Sequence, residues 1–270
     1  MKPDTLRISG PFRCTLARSR YLRPSTTSAV LVGASVSDSS NNASRRRWSR
    51  PCAYVVLLCL AAFIAAIGAS MHVYPGGNWL DRSVSGHRFF ANFLCDLTQP
   101  VSLSGVDNLV GARCAQFGML SFAVGLSAFF WVLPEHFRPS SRATRWVRGL
   151  GECAMATFVA VPLTPSERFG NVHASLALVS GALGIAAAAC AVIALARSNR
   201  RAKVLAVLGT LALLVGALDA ALFAHHLHDT TPPPLILPAA QKVAALLLMA
   251  WMAVTAGLLL TTPRAEATRP

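Results

Sequence analysis

The sequence predicts an all-α fold: a polytopic membrane six-helix bundle with a short interfacial helix in the first extracytoplasmic loop. Six apolar stretches recur along the 270 residues, and 54% of the chain is apolar with only 13% charged, against about 25% charged in globular domains. A hydrocarbon core about 30 Å thick needs roughly 20 apolar helical residues, which the runs 53–73, 114–133, 147–163, 172–196, 203–224 and 235–261 meet or approach. A soluble helical core would carry polar residues at helical spacing on its outer faces. Leu176–Ala196 instead is apolar on every side.

Charge orients the spans. Residues 1–50 hold ten Lys/Arg, the joint after the second span holds Arg138, Arg142, Arg145 and Arg148, the joint after the fourth holds Arg197, Arg200, Arg201 and Lys203, and the tail holds Arg264 and Arg269. The alternate joints carry only Arg82, Arg88, Arg113 and Arg168. By the positive-inside rule both termini are cytoplasmic, in a cell inner (plasma) membrane. The net charge of +14 thereby serves topology, and no nucleic-acid-binding motif accompanies it. Residues 1–50 read as a disordered basic cytoplasmic extension, rich in Ser, Thr and Arg. Residues 51–262 form the six-span domain and 263–270 a cytoplasmic tail.

The first outer joint is the longest. Tyr74-Pro75-Gly76-Gly77-Asn78 reads as a turn, with Trp79 at the depth amphipathic aromatics prefer. From His87 to Leu97, Phe90, Phe93, Leu94 and Leu97 share helical spacing, and Arg88, Asn92 and Asp96 fall away from that face, so a helix lying in the interface is expected as a lid. Cys95 and Cys114 share this outer side, where an oxidising exterior permits a disulfide. No cysteine or histidine spacing typical of zinc appears, so no metal or other cofactor is expected.

Ionisable residues within the spans carry the most chemical information, because each costs a few kcal/mol in lipid unless it meets a partner or water. Asp219 in the fifth span and Lys242 in the sixth each lie about two turns from the outer end, so an ion pair between them, with Gln241 nearby, is expected. Glu152 is expected to pair with Arg148 or to reach the interface. Histidines gather on the outer side at His72, His173, His225, His226 and His228 with Asp229, which makes a hydrated cluster near Asp219 the expectation. Ser180, Gly184 and Ala188, and Ala212, Gly216, Ala220 and Ala224, recur at four-residue spacing, the pattern of close helix approach between the fourth and fifth spans. The same pattern leaves a homo-oligomer open.

Tyr74–Trp79, the HRFFANFLCDL stretch ending at Leu97, Asn108 with Gly111, His173, and the series Pro238, Gln241, Lys242, Trp251 together resemble a family of six-helix bacterial integral membrane proteins without an assigned reaction, distantly similar to the Frag/DRAM/Sfk group. The resemblance covers about Pro51 to Leu260 and implies a six-span bundle; its eukaryotic relatives are linked to lipid handling. Nucleotide-binding, haem-attachment and serine-hydrolase motifs are absent. The sequence therefore favours a non-enzymatic protein that binds or senses membrane lipid. The alternatives are a lipid-modifying membrane hydrolase, with or without a metal, and a small proton-coupled transporter.

Overall fold

The computed structural model describes the backbone of residues 30–137, 141–227 and 234–261, with side chains from Ser49 onward except Ser141. His228, Asp229, Arg138 and the tail from 262 lie outside the described residues, as does the extension before residue 30. The chain divides between Ser44 and Arg45 into two compact units. Of the first, the described part is helix from Val30 onward, so residues 30–50, expected to be disordered, have helical backbone; between Ala34 and Ser49 no Gly or Pro interrupts the chain. The remaining description concerns the second unit.

Six helices make up the described fold: α1 (Val30–Val73), α2 (Leu109–Val132), α3 (Ser141–Ala160), α4 (Ser166–Ala196), α5 (Arg200–His226) and α6 (Ile236–Thr261). Five segments are long and apolar enough to cross a membrane: Ser49–Val73, Leu109–His136, Ser166–Ala196, Arg200–His226 and Ile236–Thr261. The third expected span, 147–163, is the exception. Helix α3 spends its length on Arg142, Arg145, Arg148 and Glu152, and only the part beyond Glu152 is free of charge. Arg148 and Glu152 are held by neighbours. Arg148 lies 3.7 Å from Glu135, donates to the Trp131 carbonyl and stacks over the Trp131 ring, while Glu152 accepts the Ser127 hydroxyl at 2.8 Å in place of the expected Arg148.

Both ends of the bundle are fixed by specific contacts. Arg50 donates to the Leu260 carbonyl at 3.2 Å, so the apolar part of α1 begins where α6 finishes. At the opposite end, residues 74–108 fold into a cap, pinned by Leu94 to Gln241 of α6, by Gln99 to Ser166 of α4 and by the Phe93 ring against Phe223 of α5. Two isolated antiparallel bridges, Gly76 with Ser85 and Val101 with Asp107, brace this cap. Gly77 sits at φ +83°, where a side chain is strained, and its Cα abuts Leu103 and Ser104 closely enough to exclude any Cβ.

The expected interfacial helix over 87–97 is replaced by turns and a short 3-10 helix, Leu94–Thr98. The reason is polar. Asn92 and Asp96, expected on the outer face, are buried to 0% and 2% exposure, because they hydrogen-bond the backbone of their own loop. Asn92 receives the Arg88 N–H and donates to the Gly77 carbonyl at 2.8 Å, and Asp96 receives the Phe93 N–H at 2.8 Å. A regular helix would turn both groups out of reach of these partners.

Close helix approach falls at glycines other than those of the four-residue stripes. A Cβ on Gly209 of α5 would lie 2.7 Å from the Trp251 ring and 2.9 Å from Val192, and one on Gly125 of α2 would lie 2.9 Å from Cys59. Around Gly216 there is nothing within 4 Å, and Gly184 meets only Ala154 at 4.0 Å. The stripes on α4 and α5 therefore leave space instead of filling it. Gly209→Ala should lower stability by about 1–3 kcal/mol through overpacking, whereas Gly216→Ala should raise it by about 0.5–1 kcal/mol through helix propensity. Thermal unfolding of the two variants in detergent checks this, and equal midpoints would contradict the assignment of the tight contact.

Candidate functional site

The space left by the small residues is a cavity of about 320 Å³. Its walls come from every helix: Phe63 of α1, Phe122 and Phe130 of α2, Met155 and Phe158 of α3, the Ser180, Gly184 and Ala188 stripe of α4, the Ala212, Gly216 and Ala220 stripe of α5, and Leu248 and Trp251 of α6. Phe93 and Leu94 of the cap close it above. Aromatic contacts stiffen the wall, with the Phe63 and Phe122 ring centroids 4.7 Å apart and Phe129 edge-on to Trp251 at 5.1 Å. Polar groups in this lining are few: Asp219, Gln241 and Ser180.

Asp219 and Lys242 do not form the expected ion pair. The Lys242 ammonium, on a side chain 2% exposed, donates to the backbone carbonyl of Asn92 in the cap and, at 3.5 Å, to that of Pro238 one turn back. Its long stem carries the charge up to the roof. Asp219 remains below, in the cavity wall, with no hydrogen bond or ion pair among the described residues. Gln241 divides its role between the two levels, since its Oε1 accepts the Leu94 N–H at 2.8 Å while the residue lines the cavity.

Above Lys242 the roof is a polar network, in which the His87 Nε2 and Asn108 Oδ1 are buried without a hydrogen-bond partner. Asp96 accepts from the Phe93 N–H, the Trp79 indole at 3.2 Å and the Asn92 amide at 3.4 Å. Burial raises its carboxyl from the ordinary 3.8 to about 6, while these donors and the Lys242 charge pull the other way. His87, its ring edge-on to Tyr74 at 5.9 Å, is held down at about 4 by burial and by the Lys242 charge. Asn108 ties the end of the cap to α2 by donating to the Leu97 and Gln99 carbonyls, and Ser70 of α1 donates to the Gly111 carbonyl at 2.8 Å.

The histidines expected to converge on Asp219 stand apart. His173 is buried, with Nδ1 2.7 Å from the Thr164 carbonyl, which belongs to the turn between α3 and α4. His72 and His225 are exposed, and none of the three lines the cavity. Among the described residues no group of three His, Cys, Asp or Glu side chains comes together as a metal site would require. Cys95 and Cys114 are free thiols, so the disulfide considered between them is not formed; burial and the neighbouring Asp96 carboxylate push the Cys95 thiol up to about 12, leaving it protonated and unreactive. Trp79, Asn92 and Asp96 are roof residues of the candidate site whose mutual contacts a helical reading of the loop missed. The one signal for them was their clustering with Gly76 and Gly77 in the long joint between the first two apolar helices.

Compared with known proteins, the chain matches no family model, no curated protein and no solved structure.

The two titrating groups of the roof, buried Asp96 and half-buried His87, oppose each other. Between about pH 4 and 6 the folded chain keeps a proton on Asp96 that the unfolded chain has released, so this group's contribution to stability falls as pH rises. Between about pH 4 and 6.5 the folded chain lacks a proton on His87 that the unfolded chain binds, so that contribution grows as pH rises. At about 1.4 kcal/mol per unit, Asp96 is worth roughly 3 kcal/mol across its window, and the partly exposed His87 less, because solvent screens it. Relative to the native chain, Asp96→Asn should make stability climb with pH through this range and His87→Gln should make it decline. Unfolding midpoints measured from pH 4 to 7 check the two signs.

Proposed function

We propose that this is a multi-pass integral membrane protein, with both termini cytoplasmic and the cap on the outer side, that binds a membrane lipid or lipid-like molecule in its central cavity without transforming it. The observation that carries the reading is the cavity itself, of about 320 Å³ and walled by phenylalanine, methionine, leucine and small residues. That size reaches the lower end of pockets that enclose small organic ligands, which are mostly apolar with a few placed polar groups. Cavities without such a role are usually small, because protein interiors pack at crystal-like density. The sequence resemblance to a six-span group with relatives in lipid handling supports the same reading.

The alternatives have less support. A hydrolase would need His72, His173 or His225 beside Asp219, and the Nδ1 of His173 is engaged by a backbone carbonyl. A transporter in which Asp219 and Lys242 exchange partners would start from a pair, whereas the Lys242 ammonium is held by Asn92. Orientation follows from the cations, since Arg50, Arg145, Arg148, Arg200 and Arg201 belong to the end remote from the cap. The third helix completes six crossings in this arrangement by packing its charged half at the cytoplasmic interface.

Gly216→Leu and Gly184→Leu should fill the cavity and reduce co-purifying lipid, counted by native mass spectrometry from mild detergent, by about tenfold, the equivalent of about 1.4 kcal/mol. Lipid retained at the native level in both variants would place it elsewhere. Cysteines introduced at positions 90 and 145 should react with an impermeant maleimide from opposite sides of the membrane, and reaction from one common side would refute the orientation.

A further inference from the structure

We infer that the cavity selects a lipophilic amine, its protonated nitrogen paired with Asp219 and its hydrocarbon part in the phenylalanine-lined space beneath. The inference rests on the lipid-binding reading and names the ligand class for the same cavity. Asp219 is the one charged group in a lining whose other polar side chains are Gln241 and Ser180, and among the described residues it has no hydrogen bond or ion pair. A carboxylate in such surroundings is costly until a cation or donors reach it. Among the described residues, the cation whose charge acts on it is Lys242, and that ammonium is anchored in the roof on the Asn92 carbonyl.

The charge count favours a cation. Asp96 and Asp219 both act on the single ammonium of Lys242, so roof and wall together present two carboxylates against one cation. A ligand carrying a carboxylate or phosphate would add a third negative group, and Lys242 does not line the cavity to receive it. A neutral ligand would offer Asp219 a hydrogen bond at most and no counter-charge. Position along α5 sets the ligand's form. Asp219 lies four residues from Phe223 at the roof and seven from Ala212 at the floor, roughly 6 Å and 10 Å at the helical rise. An amine at Asp219 therefore sits near the cap, and its chain runs down toward Trp251, whose indole N–H is buried without a hydrogen-bond partner.

Decylamine, decanol and decanoate, offered separately at one concentration and pH 7 to the full-length protein in detergent micelles, test this by native mass spectrometry. Decylamine should be bound about tenfold more than either of the others, the equivalent of about 1.4 kcal/mol. In Asp219→Asn its occupancy should fall to that of decanol, with decanol itself unchanged as the sign of an intact cavity. Decylamine bound no better than decanol by the native protein, or an amine preference that survives in Asp219→Asn, overturns the inference and leaves the lipid-binding reading standing. If none of the three binds the native protein, that reading falls as well. The native amine-to-alcohol ratio decides the matter even where Asp219→Asn does not fold.

Discussion

A lysine ammonium buried inside a bundle of apolar helices must find acceptors within the protein, and Lys242 finds them in the cap. Its charge on the Asn92 carbonyl joins two segments 150 positions apart and explains why a loop of this length is ordered at all. Once Asn92 is drawn inward, Asp96 follows, its oxygens taken by Phe93, Trp79 and Asn92. Leaving any of these groups unpaired at that depth would cost about 1–3 kcal/mol each. The cap is thus a polar plug held by the hydrogen bonds of Lys242, Asn92 and Asp96.

Much of the scaffold was legible in the sequence and the site only in part. Length and hydropathy located five of the apolar helices, with ends within a few residues of those observed, because a stretch such as 235–261 has no competing way to bury its surface. The third stretch was harder. Its apolar core is short, and the arginines that precede it belong to the helix, with Arg148 held by Glu135 and Trp131, contacts that composition does not reveal. The helical spacing of Phe90, Phe93, Leu94 and Leu97 was real, but spacing describes one segment in isolation. It could not register that Asn92 and Asp96 have partners at Gly77, Trp79 and Lys242 that outweigh a regular backbone.

The small-residue stripes show the same limit more sharply. Ser180-Gly184-Ala188 and Ala212-Gly216-Ala220 have the spacing of helices in close contact, yet both face the cavity. Spacing alone identifies a smooth helix face and is silent on what lies against it. Here the large residues at the edges, Phe122, Phe158, Phe223 and Trp251, hold the helices apart, while close approach is confined to glycines such as Gly209 that receive one of those rings. Asp219 and Lys242 were likewise placed correctly along their helices, and only their pairing was misjudged.

That misjudged pairing connects the roof to the cavity. If Lys242 turned down to Asp219, an ion pair at 4 Å would gain about 4 kcal/mol at an effective dielectric constant of 20. Staying up keeps hydrogen bonds from a charged donor, each worth about 1.5–3 kcal/mol, and keeps the ammonium close enough to Asp96 for their charges to attract. The balance is near enough that the cap's integrity decides it: with Asn92 and Asp96 in place Lys242 remains in the roof, and Asp219 is left facing the cavity. Loss of the roof would release the lysine to neutralise the carboxylate from within. The cap therefore does more than seal the bundle, because by retaining the internal cation it preserves the charge in the wall below.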